Sequence, residues 1–178
     1  IARFVLRERG PRTTALGREN DAADAVARRE HVVLCGFGRV GQNIARVLEA
    51  QNFEYIALDL DPVRIRAARQ AGDPVVFGDS ADEDVLAKVG LASASAVIIT
   101  FANPAVSIGI LRSIRRLRAD VPVLVRTQDD SRLTDLKAAG ATEVVPETFE
   151  ASLMLVSHVL VQLRVPPARV LRTVSEIR

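Results

Sequence analysis

From residue 31 onward the chain alternates between short runs that are apolar at nearly every position and longer stretches that are apolar at every third or fourth. The runs are HVVLC (31–35), YIALD (55–59), PVVFG (74–78), SAVIIT (95–100), PVLVRT (122–127) and TEVVP (142–146). The stretches that follow them, 39–51, 62–71, 82–89, 103–118, 129–139 and 147–163, carry helical spacing. A continuous apolar run suits a strand covered on both faces, whereas a period near 3.6 leaves one stripe of a helix to bury. Strand followed by helix, six times over, requires parallel pairing through right-handed crossovers. The expected fold is α/β: a doubly wound, six-stranded parallel sheet with helices on both faces.

The finer pattern places particular residues. Val40, Ile44, Val47 and Leu48 share one face of the first helix. Val106, Ile110, Ile114 and Leu117 do so in the fourth, with Arg112, Arg115, Arg116 and Arg118 opposite as a solvated face. Asp61-Pro62 reads as an N-cap followed by proline in the first turn, and Gly72, Gly90 and Gly140 stand where helix C-caps belong. Residues 147–163 differ: Phe149, Leu153, Val156, Leu160 and Leu163 form a stripe that Met154, Leu155, Val159 and Val161 widen. Such a helix needs burial on more than one side. Pro166-Pro167 ends it, and a short amphipathic helix should follow. Before residue 31, Arg3, Arg7, Arg9 and Arg12 stand against Glu8 alone, and an alanine-rich, charged segment reads as a short helix ending near Arg29. The cluster would suit the cytoplasmic flank of a membrane span, or a solvated linker. The chain thus divides into a basic linker with a short helix (1–30), the α/β domain (31–146) and a crossing helix with a short C-terminal helix (147–178).

Composition narrows the function. With 178 residues and 48% hydrophobic content, the chain can bury one real core. Lys+Arg 24 against Asp+Glu 22, with aromatics at 4%, offers neither the basic field nor the stacking surface of a nucleic-acid binder. Cys35 is the only cysteine, which excludes an intrachain disulfide and a cysteine-built zinc cage; it reads as a small hydrophobe at a strand end.

The segment VVLCGFGRVGQNIARVLE sets Gly36, Gly38 and Gly41 between a strand and a helix. In a Rossmann-type turn the first glycine permits the tight bend, the second lets the backbone approach a pyrophosphate and the third lets helix pack on sheet. Asp59, eighteen residues past Gly41 and ending the next strand, is placed to accept two ribose hydroxyls. That favours NAD or a simple adenine nucleotide over NADP, and Arg64 and Arg66 come several residues too late to serve a 2′-phosphate. Other strand ends point into the same crevice: Gly78-Asp79-Ser80, Thr100 and Arg126. Asp79 is a candidate for the adenine amino group, with an N-cap role for it or Ser80 as the alternative. Arg126, closing a buried strand, requires an anion, either a nucleotide phosphate or a carboxylate such as Glu147. No Ser-His-Asp set, metal-ligand cluster or second phosphate loop accompanies the turn, so no catalytic or metal-binding residue is assigned. His31 and His158 are assigned structural roles.

HVVLCGFGRVGQNIARVLE, LDLDP, VVFGDSADEDVL, AVIITFANP, VLVRTQDD and LKAAGATEVVPETFEASLML together resemble the nucleotide-binding RCK domain, also called TrkA-N or KTN, that regulates potassium channels and transporters. The segment PETFEAS is most similar to the C-terminal domain of Kef-type potassium/proton antiporters. The resemblance implies AMP, NAD(H) or ATP/ADP as ligand, with phosphates on Gly36, Phe37, Gly38, Arg39, Val40 and Gly41, helped by Arg126. It implies ribose at Asp59 and adenine bordered by Asp79 and Ser80; Leu60, Gly78 and Thr100, at the same strand ends, are counted with them as binding residues. It further implies a homodimer through residues 147–163, a transmembrane transport domain upstream and a place on the cytoplasmic face of the inner membrane. Of two arginines that engage glutathione in such antiporters, Arg46 is matched but the other position holds Pro146, so glutathione sensing is not expected. The alternatives are the cofactor domain of an NAD-dependent oxidoreductase and a freestanding RCK subunit.

Overall fold

The computed structural model describes Ala27 and residues 30–177. The N-terminal arginine cluster and nearly all of the helix expected before Arg29 lie outside the described residues.

Six strands alternate with helices in chain order. They are β1 (His31–Cys35), α1 (Arg39–Ala50), β2 (Tyr55–Asp59), α2 (Pro62–Ala71), β3 (Val75–Phe77), α3 (Glu83–Lys88), β4 (Ala94–Ile99), α4 (Pro104–Leu117), β5 (Val123–Thr127), α5 (Leu133–Ala138) and β6 (Glu143–Pro146). Two further helices, α6 (Glu147–Gln162) and α7 (Pro167–Ile177), complete the chain. All strand pairs are parallel, in the order β3-β2-β1-β4-β5-β6. This is the expected doubly wound sheet. Because β1 lies between β2 and β4, the connections leaving β1 and β4 diverge and open a crevice at their carboxyl ends.

The central strands feed two cores. Val33 and Cys35 pack with Leu58, Val97 and Ile99 beneath Leu86, Ile110, Leu111, Ile114 and Leu136 of α3, α4 and α5. Val32 and Leu34 point the other way, joining Tyr55, Ala57, Ala45, Ile65 and Ala68 under α1 and α2. That two-sided burial is the reason the runs in the sequence do not alternate.

The helix stripes are shifted from the expected ones. In α1 the buried residues are Gly41 and Ala45, while Val47 is exposed; in α4 they are Ser107, Ile110, Leu111, Ser113 and Ile114, with Val106 and Leu117 exposed. Nor is the arginine face of α4 merely solvated. Arg115 donates to the carbonyls of Gly140 and Val121, and Arg118 to those of Leu91 and Ala94, so both tie off carbonyls of neighbouring segments. Asp61 caps α2 as expected, accepting from the amides of Val63 and Arg64 with Pro62 in the first turn. Gly72, Gly90 and Gly140 all have positive φ. Helix α5 starts at Leu133 rather than 129, because Asp129 accepts from both the amide and hydroxyl of Ser131 and holds a local turn there.

Helix α6 stands apart. Only Leu153 is buried within it, whereas Met154, Leu155 and, just past its end, Leu163 are 65%, 68% and 69% exposed, and His158, assigned a structural role, is exposed. Helix α7 packs against it and buries Val170. No helix among the described residues is long and apolar enough to cross a membrane.

Candidate functional site

The three glycines of the β1–α1 turn are needed for different reasons. Gly36 has φ +100°, and a Cβ there would stand 2.5 Å from Thr100 Oγ1. One on Gly41 would stand 2.2 Å from the Gly36 carbonyl oxygen. These two glycines let strand and helix meet. A Cβ on Gly38 would meet no atom within 4 Å, so this position borders open space. The turn is pinned from below: Gly36 N–H donates to Leu58 O (2.8 Å), and the Thr100 hydroxyl donates to Cys35 O (3.0 Å) and Gly36 O (3.1 Å).

Gly38 is the N-cap of α1 and brings no side-chain acceptor, and the first turn holds no acidic residue. The first intrahelical bond runs from Gln42 N to Gly38 O (2.9 Å). Among the described residues, the amides of Gly38, Arg39, Val40 and Gly41 therefore have no acceptor. Unmet donors combined with the positive end of the helix dipole attract an anion. Of the side chains here, Phe37 is buried in the core, while Arg39 is exposed at the mouth.

Asp59 ends β2 beside this turn, with its side chain 5% exposed. Its Oδ2 accepts from Phe37 N–H at 2.7 Å and its Oδ1 from Asp61 N–H at 2.9 Å. Arg64 Nη1 lies 2.9 Å from Oδ1 and 2.8 Å from Oδ2. Burial raises the carboxyl's pKa, but the amides of Asp61 and Phe37, with the Arg64 hydrogen bonds and charge, outweigh it and hold the group below the usual carboxylate value. Arg64, considered from spacing only as a partner for a 2′-phosphate, reaches this carboxylate from the first turn of α2.

At the next strand end Gly78 is packed tightly, since a Cβ there would stand 2.5 Å from Val85 Cγ1. Neither Asp79 nor Ser80 caps α3. Asp82 does, accepting from the amides of Asp84 and Val85. Asp79 is exposed and accepts from Ala81 N–H, whereas Ser80 is buried and hydrogen-bonded to Cys35. Burial pushes the Cys35 thiol up to about 12 against the opposing effect of Ser80, leaving it protonated and inert. Leu60 and Phe77, both exposed, flank Asp59 and Gly78 with apolar surface.

Arg126 finds its anion within the chain. Its Nη2 pairs with Glu147 Oε2 at 2.6 Å and its Nη1 donates to Thr100 O at 2.8 Å, joining the floor of the glycine turn to the first residue of α6. Its Nε is buried and has no acceptor among the described residues. Away from the crevice, a cleft of about 630 Å³ between α4 and α5 is lined by Arg112, Arg115, Arg116, Arg132 and Asp135. Three of these arginines are already engaged, with backbone carbonyls, Glu83 and Asp135 respectively.

The crevice thus offers the chemistry an anionic ligand calls for. It has an amide cradle with open space above it, a carboxylate at the neighbouring strand end and an arginine nitrogen still unmet behind the turn. Sequence spacing brought out the glycines, Asp59 and Glu147 as one of the two anions open to Arg126; the reach of Arg64 to Asp59 and the Asp82 cap depend on side-chain placement.

A family model, the TrkA-N domain, matches residues 32–147. Over 178 residues, all of this chain, the sequence is 43% identical to a KefB-type K(+) efflux antiporter of Alkalimonas amylolytica, and it spans 27% of that protein's length. The TrkA-N domain of the inner membrane protein ybaL from Escherichia coli superposes with a TM-score of 0.68 at 25% identity, over 72% of this chain and 95% of that one. The AMP-bound Kef C-terminal domain of Shewanella denitrificans shares the fold with a TM-score of 0.69 at 24% identity, over 83% and 90% of the two chains. With the glycine turn, the parallel sheet and the family match in agreement over most of its length, the chain belongs to the TrkA-N family.

Proposed function

We propose that this chain is the nucleotide-sensing regulatory domain of a Kef-type potassium (monovalent cation)/proton antiporter, set on the cytoplasmic face of the inner membrane, which binds an adenine nucleotide without converting it. The observation that carries this reading is the row of four acceptor-less amides at the head of α1, opening onto free space over Gly38. AMP, ADP or ATP, and NAD(H) all present a phosphate to such a cradle beside a ribose and an adenine. The phosphates rest on Gly38 to Gly41 with Arg39 and the Nε of Arg126 nearby; Asp59 accepts the ribose; Leu60, Gly78 and Asp79 border the base. Kinship to K(+) efflux antiporters supports the transport role, and an AMP-bound neighbour of the same fold supports the ligand class.

Residues 147–163 form the homodimer surface, and residues 1–30 lead in from the transport domain. A bound nucleotide regulates transport only by binding two arrangements of the paired domains with different affinity. Arg126, shared between the turn and Glu147 at the start of α6, is the physical link between ligand and dimer.

The test is potassium/proton exchange by the full-length protein in proteoliposomes, with AMP, ATP, NAD or NADH added on the side of this domain, alongside calorimetric titration of the domain. At least one nucleotide should bind and change the exchange rate. Asp59→Asn should weaken that binding about 10- to 100-fold, as expected for hydrogen bonds to a charged acceptor. Tight binding that leaves exchange unchanged would refute the regulatory role, and NADH oxidation with a carbonyl substrate would refute the claim of binding without chemistry.

A further inference from the structure

The carboxylate assigned to the ribose already has its acceptor positions filled. A carboxylate offers about four lone-pair sites. Phe37 N–H and Arg64 Nη1 share Oδ2, while Asp61 N–H and Arg64 Nη1 share Oδ1. The two backbone donors cannot leave without undoing the glycine turn or the entry to α2. Arg64 can leave. Its side chain is 38% exposed, and its Nη2 also reaches Asp61 Oδ2 at 3.1 Å, on the outer side of Asp59. A pair of ribose hydroxyls therefore meets Asp59 only where the guanidinium now sits.

We propose that Arg64 is a displaceable occupant of the ribose position: it closes Asp59 until a nucleotide binds, and the vicinal hydroxyls then take its bonds while Asp61 retains the guanidinium. This rests on the reading that Asp59 holds the ribose. The exchange has a physical rationale on both sides. A bare carboxylate that is almost fully buried is costly, so a resident cation keeps Asp59 ionised and oriented. The half-exposed guanidinium, with a second carboxylate within reach, surrenders the position at modest cost. The cluster of Asp59, Asp61 and Arg64 keeps a net charge of −1, so a 2′-phosphate stays disfavoured even with Arg64 nearby. Arg64 thereby sets how strongly the site rewards a vicinal diol.

The experiment is calorimetric titration with AMP and with 2′,3′-dideoxy-AMP, reading the ratio of the two affinities, in which attraction to the shared phosphate cancels. The ratio should rise about three- to tenfold in Arg64→Ala, the range expected for removing a partly exposed charged competitor. Arg64→Met, which keeps the aliphatic stem, should behave alike and covers the case in which alanine loosens α2. Asp61→Asn, which preserves the helix cap but removes the alternative seat for the guanidinium, should lower the ratio. An unchanged or lower ratio in both Arg64 variants overturns the exchange and leaves the nucleotide reading standing. If the wild-type domain binds neither AMP nor any other adenine nucleotide, the nucleotide reading falls and the exchange with it.

Discussion

The head of α1 and the outer face of α6 both leave groups unmet, but of opposite kinds. At α1, four backbone donors have no acceptor among the described residues. At α6, Met154, Leu155, Val159, Val161 and Leu163 face outward, each more than half exposed. Amide donors at a positive helix end call for a small anion, and water can stand in for it at little cost. Contiguous apolar area has no such substitute and calls for another protein surface. On the function proposed above, the first region serves a ligand that comes and goes and the second a partner that stays. Arg126 touches both through Thr100 and Glu147.

Substitutions separate these roles. The largest effect is expected from Gly41→Ala, whose Cβ would press on the Gly36 carbonyl oxygen at 2.2 Å. That should cost about 3 kcal/mol of stability, a fall in Tm of about 6–12 °C by calorimetry. Next is Leu155→Glu on α6, which should raise the dissociation constant of the proposed dimer about 30- to 100-fold by placing an unpaired charge on its apolar face, with the Tm of the monomer kept. Sedimentation at graded concentrations reads it. Gly38→Ala should invert the pattern of Gly41. Beyond its chain neighbours, no atom of the described residues lies within 4 Å of the added carbon, so Tm should move by less than about 3 °C while AMP affinity drops about tenfold through obstruction of the cradle.

The smallest effect is in the pH profile. The folded-state pKa of Asp59 lies below its unfolded value, so the stability it contributes is fully present above about pH 4 and is lost as pH falls through the folded value. The Tm gap between wild type and Asp59→Asn should accordingly be widest near neutrality and close on acidification.

The sheet was legible because its apolar runs are short, continuous and separated by helical spacing, which admits few topologies. The glycine turn was legible because each glycine has a mechanical reason that holds in any such turn: a Cβ on Gly36 or Gly41 would stand 2.5 Å or less from a neighbouring oxygen. What stayed hidden depends on side-chain reach. Arg64 is five residues from Asp59 along the chain, yet the helix turns its guanidinium back onto the carboxylate. Arg115 and Arg118 read as a charged face because spacing reports which side a residue leaves from, not where a long side chain ends. Asp82 outcompeted Asp79 and Ser80 as the cap because Ser80 is drawn inward to Cys35 and Asp79 closes its own turn on Ala81.

The most direct measurement is a proton–nitrogen NMR titration of the domain with AMP. The expected result is that the largest amide shifts fall on Gly38, Arg39, Val40 and Gly41, saturating with smaller shifts at Asp59 and Arg126. Shifts centred instead on Arg112 and Arg132 in the cleft between α4 and α5, with the glycine-turn amides unmoved, would contradict it.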